Sequence, residues 1–191
     1  MKTVSLVVST CNQPMRLNGL LCALAVQTYD RNSIEVWVAD NSTADTARAQ
    51  NVQLAMDFGA MYMHVGAEEC YTAAEAVAPR CTGKWLGFPS DDCYYMPTYV
   101  ETLVKDAELA CADVAYCDCV YDARYQGHYG VMVCEPRVGA IDKGGFIMRR
   151  ELFRGFPAKA PVSFSDGLMI EELVKEQRKF IKAPGVLWVH N

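Results

Sequence analysis

Short apolar runs alternate with amphipathic stretches along the first 65 residues. A β-branched run is typical of a buried strand, and leucines recurring at positions 17, 20, 21 and 24 predict a helix with one apolar face. A proline suits the first turn of that helix, and Gly59 suits the end of the next one. The predicted order is strand Thr3–Thr10, helix Pro14–Gln27, strand Ser33–Ala39, helix Ala44–Phe58 and strand Met61–Val65.

This alternation predicts an α/β fold with a mixed, mostly parallel central sheet flanked by helices. Ligands of such sheets bind beyond the carboxyl ends of the strands, so the residues that end each strand are informative. Polar residues end three of the predicted strands: Thr10-Cys11-Asn12, Asp40-Asn41-Ser42 and Asp91-Asp92. We expect these three clusters to lie along one edge of the sheet.

The rest of the chain continues the alternation without a repeat or a linker, so residues 1–191 are interpreted as one domain with halves 1–97 and 98–191. Residues 122–138 have little periodicity and are interpreted as a hairpin or a mobile loop. Ser165 or Asp166 is the expected cap of the last helix. The predicted elements are a helix over Glu68–Pro79, a strand from Gly83 to Asp92, a helix over Pro97–Ala112, strands Val114–Tyr121 and Gly144–Arg150, a helix from Phe164 to about Lys179, and extended segments over Phe180–Val189 broken at Pro184-Gly185.

Composition excludes some functions. The formal net charge of −5 argues against a nucleic-acid binder with a broad basic surface. No apolar run reaches the roughly 18 residues needed to span a bilayer, so we expect no transmembrane segment. The nine cysteines lack zinc-site spacing and are interpreted as reduced thiols, which favours a cytoplasmic location.

The acidic pair Asp91-Asp92 allows two interpretations. It could cap a helix beginning at Pro97, because acidic turns are common. It could also hold a divalent metal, since hard cations prefer oxygen ligands. The chain has neither a Gly-x-Gly-x-x-Gly after its first strand nor a P-loop, so the phosphates of a bound nucleotide would need another source of positive charge, such as a metal at Asp92.

The landmarks resemble the family 2 glycosyltransferases, which have the GT-A fold and use nucleotide-sugar donors. Positions 4–12 and 35–46 resemble the family's first two strands, and 144–150 resemble its strand before the acceptor side. Gly83 to Pro97 aligns without gaps on the block that contains the family's Asp-x-Asp metal motif, placing Ser90-Asp91-Asp92 on that motif. The resemblance covers nearly the whole chain.

The resemblance implies a metal-dependent, inverting transfer of a hexose from a UDP-sugar to a hydroxyl of a carbohydrate or glycoconjugate acceptor. It implies Mn²⁺ or Mg²⁺ as cofactor and Asp166 as catalytic base, at the family's Glu-Asp motif. A helix N-terminus is expected to lower the pKa of that base. The implied metal ligands are Asp92 and His190, and the implied nucleotide-binding residues are Thr10, Cys11, Asn12, Asp40 and Asp91.

Alternatives remain open for several of these residues. Asp40 could cap the following turn, His190 could be structural, and Glu171 and Glu172 are rival bases. Tyr94, Tyr95 and Trp85 are candidates for stacking on sugar rings, and packing in the core is the alternative for Trp85. Residues that could set acceptor specificity are Asp118, Asp122, Arg124 and His128.

Two departures from the family pattern bear on activity. Ser90 replaces the first Asp of the metal motif, and the family's Arg-Asn-x-Gly is absent near Ala74–Val77. A catalytically degenerate nucleotide-sugar-binding domain is therefore the second hypothesis. A nucleotidyltransferase is the third, but Cys11–Pro14 lacks the Gly-rich loop that it would need. Further domains of a longer polypeptide are also compatible with the resemblance.

Overall fold

The computed structural model describes residues 2–66, 69–121, 130–157 and 164–190. Its strands are β1 (Val4–Thr10), β2 (Ile34–Asp40), β3 (Met61–His64), β4 (Trp85–Gly87), β5 (Cys93–Tyr95), β6 (Val114–Tyr121), β7 (Gly130–Met132), β8 (Phe146–Arg149) and β9 (Phe180–His190). Its α-helices are α1 (Pro14–Ala25), α2 (Asp45–Asp57), α3 (Cys70–Val77), α4 (Tyr99–Leu109) and α5 (Ser165–Lys175). No helix in these ranges is both long and apolar enough to cross a membrane.

The strands form one mixed sheet in the order β3-β2-β1-β4-β8-β6-β9-β5, with β7 paired to β6. The first four strands in this order run parallel, whereas β8 joins β4 and β6 antiparallel. Strands from both 1–97 and 98–191 contribute to this sheet. The arrangement confirms the predicted α/β class with a mixed central sheet and flanking helices.

Hydrophobic burial explains the elements that the sequence predicted well. All seven residues of β1 are buried, and the leucines at 17, 20, 21 and 24 form the buried face of α1. Trp85 is fully buried in the core, so its side chain is not available to stack on a sugar. Burying an aromatic side chain of this size contributes roughly 2–3 kcal/mol, which explains why a three-residue strand holds its place.

Two boundaries differ from the predictions and affect the site. Helix α4 begins at Tyr99 with Thr98 as its N-cap, and β5 lies between this helix and the acidic pair, so Asp91 and Asp92 do not cap it. Helix α5 has Phe164 as its N-cap, without a side-chain cap bond. The predicted capping role of Ser165 or Asp166 is therefore wrong, which leaves Asp166 inside the first turn.

The last segment also differs from its prediction. Strand β9 runs without interruption through Pro184-Gly185, and its pairing with β6 shifts register between Tyr116 and Cys119. An irregularity of this kind absorbs the proline because β9 advances four residues, from Lys182 to Val186, while β6 advances two, so residues of β9 drop out of the hydrogen-bond ladder. The strand consequently reaches His190, which lies opposite both Cys93 of β5 and Tyr121 of β6.

Candidate active site

Strand register brings the predicted polar clusters to one edge of the sheet. Strands β1 and β2 end level with each other, with Thr10 opposite Asp40. The Asp91 amide donates to the Ser9 carbonyl at 3.3 Å, and Thr10 Oγ1 donates to Asp91 Oδ2 at 2.6 Å. The predicted convergence of the three strand ends is therefore confirmed.

A cavity of about 290 Å³ opens at this edge. Five of the predicted site residues line it: Thr10, Cys11, Asp91, Asp92 and His190. The sequence analysis did not assign a role in the site to the other lining residues, which are Ser9, Gln13, Asn41, Cys70, Tyr71, Asp142 and Lys143, or to Ser90 beyond its replacement of Asp.

A larger depression, of about 510 Å³, lies away from these strand ends. It is lined by parts of α3 and by the segment after β8, including Arg150 and Arg154. Its carboxylate, Glu75, accepts a hydrogen bond from the Phe156 amide and is therefore already engaged. The smaller cavity is the better candidate site because several charged groups converge there.

Asp92 and His190 form the candidate metal centre. Ligand atoms of Asp92, Cys93 and His190 lie within 4.8 Å of one another. A carboxylate oxygen with an imidazole nitrogen suits Mn²⁺, and bound phosphate oxygens could complete the coordination. Cys93 does not suit the ion, because burial raises its pKa well above the usual value and its thiol donates to Asp92 Oδ1 at 3.5 Å.

Neighbouring groups extend this centre. His190 Nε2 lies 3.7 Å from Asp142 Oδ2. Burial raises the pKa of Asp91 to about 6, with a further contribution from the adjacent Asp92 and an opposing hydrogen bond from Thr10. The hydrogen bond from Thr10 also attaches the Asp91 side chain to the end of β1.

Asp166 does not line the cavity itself but is hydrogen-bonded to Lys143, which does. Its carboxylate accepts from the amide of Lys143 at 2.8 Å and from that of Gly167 at 2.7 Å. Burial and the neighbouring Asp142 raise its pKa to about 6 despite those bonds. The expected lowering of this pKa by the helix terminus is therefore wrong, because loss of hydration outweighs the helix dipole.

The rival bases on α5 lie elsewhere. Glu171 Oε1 accepts from the Val138 amide at 3.0 Å, and Glu172 is exposed. None of the three carboxylates lines the cavity directly. Of the three, Asp166 is the one that accepts a hydrogen bond from a lining residue, Lys143, and geometry therefore favours it.

Asp40 is fully buried and engaged within the protein. It accepts from the Ser42 amide at 2.8 Å, from Asn51 Nδ2 at 3.1 Å and from the Tyr62 hydroxyl at 2.7 Å. These bonds lower its pKa against the opposing effect of burial, which is the largest single influence. A direct contact of Asp40 with a base stays a prediction, and it requires one of these partners to move.

Asn12 links two loops at the same edge. Its side-chain Oδ1 accepts from the backbone amides of Thr43 and Ala44 at 3.1 and 3.0 Å, and its backbone amide donates to Ser42 Oγ at 2.7 Å. It is not among the described residues that line the cavity. Its contact with a nucleotide stays a prediction, and its bonds give it a role in holding the loops.

Asn41 is a candidate binding residue that the sequence analysis did not assign. It is 5% exposed, and its buried Oδ1 has no hydrogen-bond partner in the described parts of the chain. It lines both the 290 Å³ cavity and an adjoining one of about 360 Å³. Its position directly after β2 was the available signal, but the neighbouring Asp40 drew the assignment.

Lys143 is the second unassigned residue. Its side chain is 4% exposed, with Nζ 3.4 Å from Ser9 Oγ and 5.0 Å from the centre of the Tyr71 ring. It follows Asp142 in a Gly-rich stretch that is typical of a surface turn. The sequence therefore contained no signal for its burial.

The remaining aromatic and acceptor-side candidates are placed as follows. Tyr95 is buried and donates to the Gly144 carbonyl, whereas Tyr94 is 42% exposed and its ring approaches Gly19 of α1. Asp118 pairs with Lys182 at 2.7 Å. The other three candidates, Asp122, Arg124 and His128, lie outside the described residues.

The fold and the site together define a GT-A glycosyltransferase domain. The glycosyl transferase family 2 model matches residues 5–159, which is most of the sequence. The chain therefore belongs to glycosyl transferase family 2. No curated protein matches the sequence.

Solved structures show the same fold. S. aureus TarS 1-349 matches with a TM-score of 0.76 and 18% identity, over 100% of this chain and 60% of that one. PcManGT, a mannosyltransferase from Pyrobaculum calidifontis in complex with GDP-Man and Mn²⁺, matches with a TM-score of 0.78 and 18% identity over 97% and 56%. Glucosyl-3-phosphoglycerate synthase from Mycobacterium tuberculosis, with Mn²⁺, UDP and phosphoglyceric acid, gives 0.68 and 16% over 100% and 71%.

The chain covers only part of the length of these solved structures. The chain spans from 37% to 60% of the length of the TarS structures. TarS has been solved in complex with UDP and with UDP-GlcNAc.

Proposed function

We propose that the protein is a metal-dependent, inverting glycosyltransferase that moves a hexose from a UDP-sugar to an acceptor hydroxyl. The observation that carries this proposal is the meeting of Asp92 and His190 at the cavity, with Asp166 one hydrogen bond behind it. A metal-binding pair and a buried carboxylate with a raised pKa are the groups that such a transfer requires.

The donor occupies the cavity with its diphosphate towards Asp92 and His190. When bound there, Mn²⁺ or Mg²⁺ supplies positive charge that stabilises the departing diphosphate. Complexes of structurally similar proteins support the choice of a nucleotide donor with a divalent metal, since one contains GDP-Man with Mn²⁺ and another UDP with Mn²⁺. The adjoining cavity near Asn41 receives the nucleoside.

Recognition of uracil falls to Asn41 and the end of β1. The free Oδ1 of Asn41 accepts from the imide N–H of the base, while Asp40 holds the surrounding loop through Ser42, Asn51 and Tyr62. A buried acceptor without a partner costs about 1–3 kcal/mol, so a ligand N–H that satisfies it contributes to affinity.

Asp166 removes the proton of the acceptor hydroxyl. The freed oxygen attacks the anomeric carbon, and the bond from that carbon to the diphosphate breaks with its electron pair leaving on the nucleoside diphosphate. Because attack and departure occur on opposite faces in a single step, the configuration at the anomeric carbon inverts. The pKa of about 6 keeps Asp166 ionised at neutral pH and a stronger base than an exposed carboxylate.

Hydrolysis and transfer assays with a panel of UDP- and GDP-sugars test the proposal, with Mn²⁺ and with chelator. We expect metal-dependent turnover of a UDP-sugar. Asp166→Asn should lower kcat by roughly 100-fold or more, as expected for loss of a general base. Glu172→Gln is the matched control, because Glu172 is exposed on the same helix and should leave kcat unchanged.

One result would contradict the assignment of the base, and another would contradict the transfer function. Turnover that survives Asp166→Asn would remove Asp166 as the base. Binding of UDP without turnover of any sugar in the panel would instead favour the catalytically degenerate binding domain, for which Ser90 at the cavity is the specific observation.

A further inference from the structure

We propose that the ammonium group of Lys143 binds the diphosphate of the donor and stabilises it as it leaves. This assignment rests on the proposed function, and it names a catalytic residue that the metal-binding pair and the base do not include.

Lys143 carries a buried charge without an ion-pair partner among the described residues. The residue is 4% exposed, and no acidic side chain lies within 4.0 Å of its Nζ among the residues that the structure describes. Its contacts are the Ser9 hydroxyl at 3.4 Å and the face of the Tyr71 ring. A buried ammonium is costly unless an anion pairs with it, so this side chain is suited to an anionic ligand.

The position of Lys143 in the cavity also favours contact with the diphosphate. Lys143 lines the same cavity as Asp92 and His190, next to the end of β1. The nearby carboxylates are engaged elsewhere: Asp142 Oδ1 accepts from the Gly144 amide, and Asp166 accepts from two amides. With Ser90 in place of a carboxylate, the ammonium meets fewer protein anions and is left for phosphate oxygens.

The backbone that carries Lys143 is held in place by close packing and hydrogen bonds. Lys143 opens a 3₁₀ turn, Lys143–Gly145, that Asp142 caps. A Cβ at Gly144 or Gly145 would lie 3.0 Å from the Trp188 ring, so both glycines allow the turn to pack closely against that ring. The amide of Lys143 is also fixed by its bond to Asp166. A charge held in place before the reaction stabilises a leaving group without reorganisation.

Calorimetry with UDP, uridine and inorganic pyrophosphate tests the role, with and without Mn²⁺. Lys143→Met removes the charge at similar volume. We expect UDP and pyrophosphate to bind about 10- to 100-fold more weakly, as for loss of a charge-assisted hydrogen bond, while uridine binds as before. Unchanged uridine binding also shows that the variant is folded at the site.

Two further variants sharpen the test. Lys105→Met is the matched control, because Lys105 is exposed on α4, and it should leave all three affinities unchanged. Lys143→Gln keeps a hydrogen-bond donor without the charge, so it should lose UDP affinity to a smaller extent than Lys143→Met. At saturating donor, both Lys143 variants should also show a lower kcat.

The role of Lys143 is overturned if Lys143→Met weakens UDP and uridine equally, or weakens neither. Failure of the proposed function is distinguishable from this, since it is seen in the wild-type protein, either as UDP binding without turnover of any sugar or as no binding of UDP. If UDP binds without turnover, the comparison of UDP with uridine still tests Lys143; if UDP does not bind, the test falls to pyrophosphate. In that case pyrophosphate still decides: equal binding to wild type and Lys143→Met, or no binding to either, removes Lys143 as a phosphate ligand.

Discussion

Burial controls the acid–base chemistry of the residues at this site. Asp91 and Asp166 both have pKa values of about 6, because loss of hydration outweighs the hydrogen bonds that each carboxylate accepts. Asp40 is different, since its three partners lower its pKa in spite of burial. The hydrogen bonds that Asp40 accepts therefore favour its ionised form, whereas burial favours the protonated form of Asp91 and Asp166.

The pKa of Asp166 predicts a pH profile. The base works in its ionised form, so kcat should be level above about pH 6 and should fall about tenfold for each pH unit below it. The measurement is kcat at saturating donor and metal between pH 4.5 and 8. A profile with no change across pH 6 in the wild type would contradict the assignment, and Glu172→Gln should reproduce the wild-type profile.

At this scale the sequence predicted the residues that carry a strand-end signal. Thr10, Cys11, Asp91 and Asp92 were identified because they end strands, and His190 was identified through the family resemblance. Lys143 could not be predicted, because its side chain packs against Ser9 and Tyr71, which lie far from it along the chain. The pKa of Asp166 could not be predicted either, since it depends on burial and on Asp142.

Individual elements position the site through close backbone packing. Before β4 the chain passes directly over β1: the Gly83 amide donates to Ser5 Oγ at 2.8 Å, and Ser5 in turn donates to the buried Glu35. A Cβ at Gly83 would lie 2.6 Å from the Ser5 backbone nitrogen. This contact fixes the position of β4, and β4 in turn positions the acidic pair Asp91-Asp92 that comes after it in the chain.

Gly83→Ala should therefore destabilise the protein by about 1–3 kcal/mol, because a methyl group must displace backbone. Chemical denaturation of the variant and the wild type measures the difference. Gly19→Ala is the control, since its Cβ would meet the flexible Tyr94 side chain at 3.2 Å and helix propensity improves. A Gly83→Ala protein as stable as the wild type would show that β4 is not held by this contact.

Periodicity predicted long elements and missed a short one. The spacing of leucines identified α1, and the apolar run of Val114–Tyr121 gave β6 with its observed bounds. Strand β5 has three residues, and it forms only because β9 pairs with it from almost 100 residues away. Such a strand has no local signal, yet it places Asp92 beside His190.

At the scale of the whole molecule, the sheet brings residues from both halves of the chain to the candidate site. Its parallel strands end at Thr10 and Asp40, for which we predict nucleotide binding, and the second half of the chain contributes His190 and the turn at Lys143. The candidate site therefore requires both halves of the chain. The parallel arrangement of the first strands followed from the alternation of strands and helices in the sequence, whereas the pairing of β6, β8 and β9 did not.

A crystal structure with UDP and Mn²⁺ would show whether this cavity is the donor site. We expect Mn²⁺ coordinated by Asp92, His190 and the diphosphate, with the diphosphate also within hydrogen-bond distance of Lys143 Nζ and the uracil beside Asn41. UDP bound in the 510 Å³ depression near Arg150, or UDP in the cavity with Mn²⁺ absent from Asp92, would rule out the proposed site.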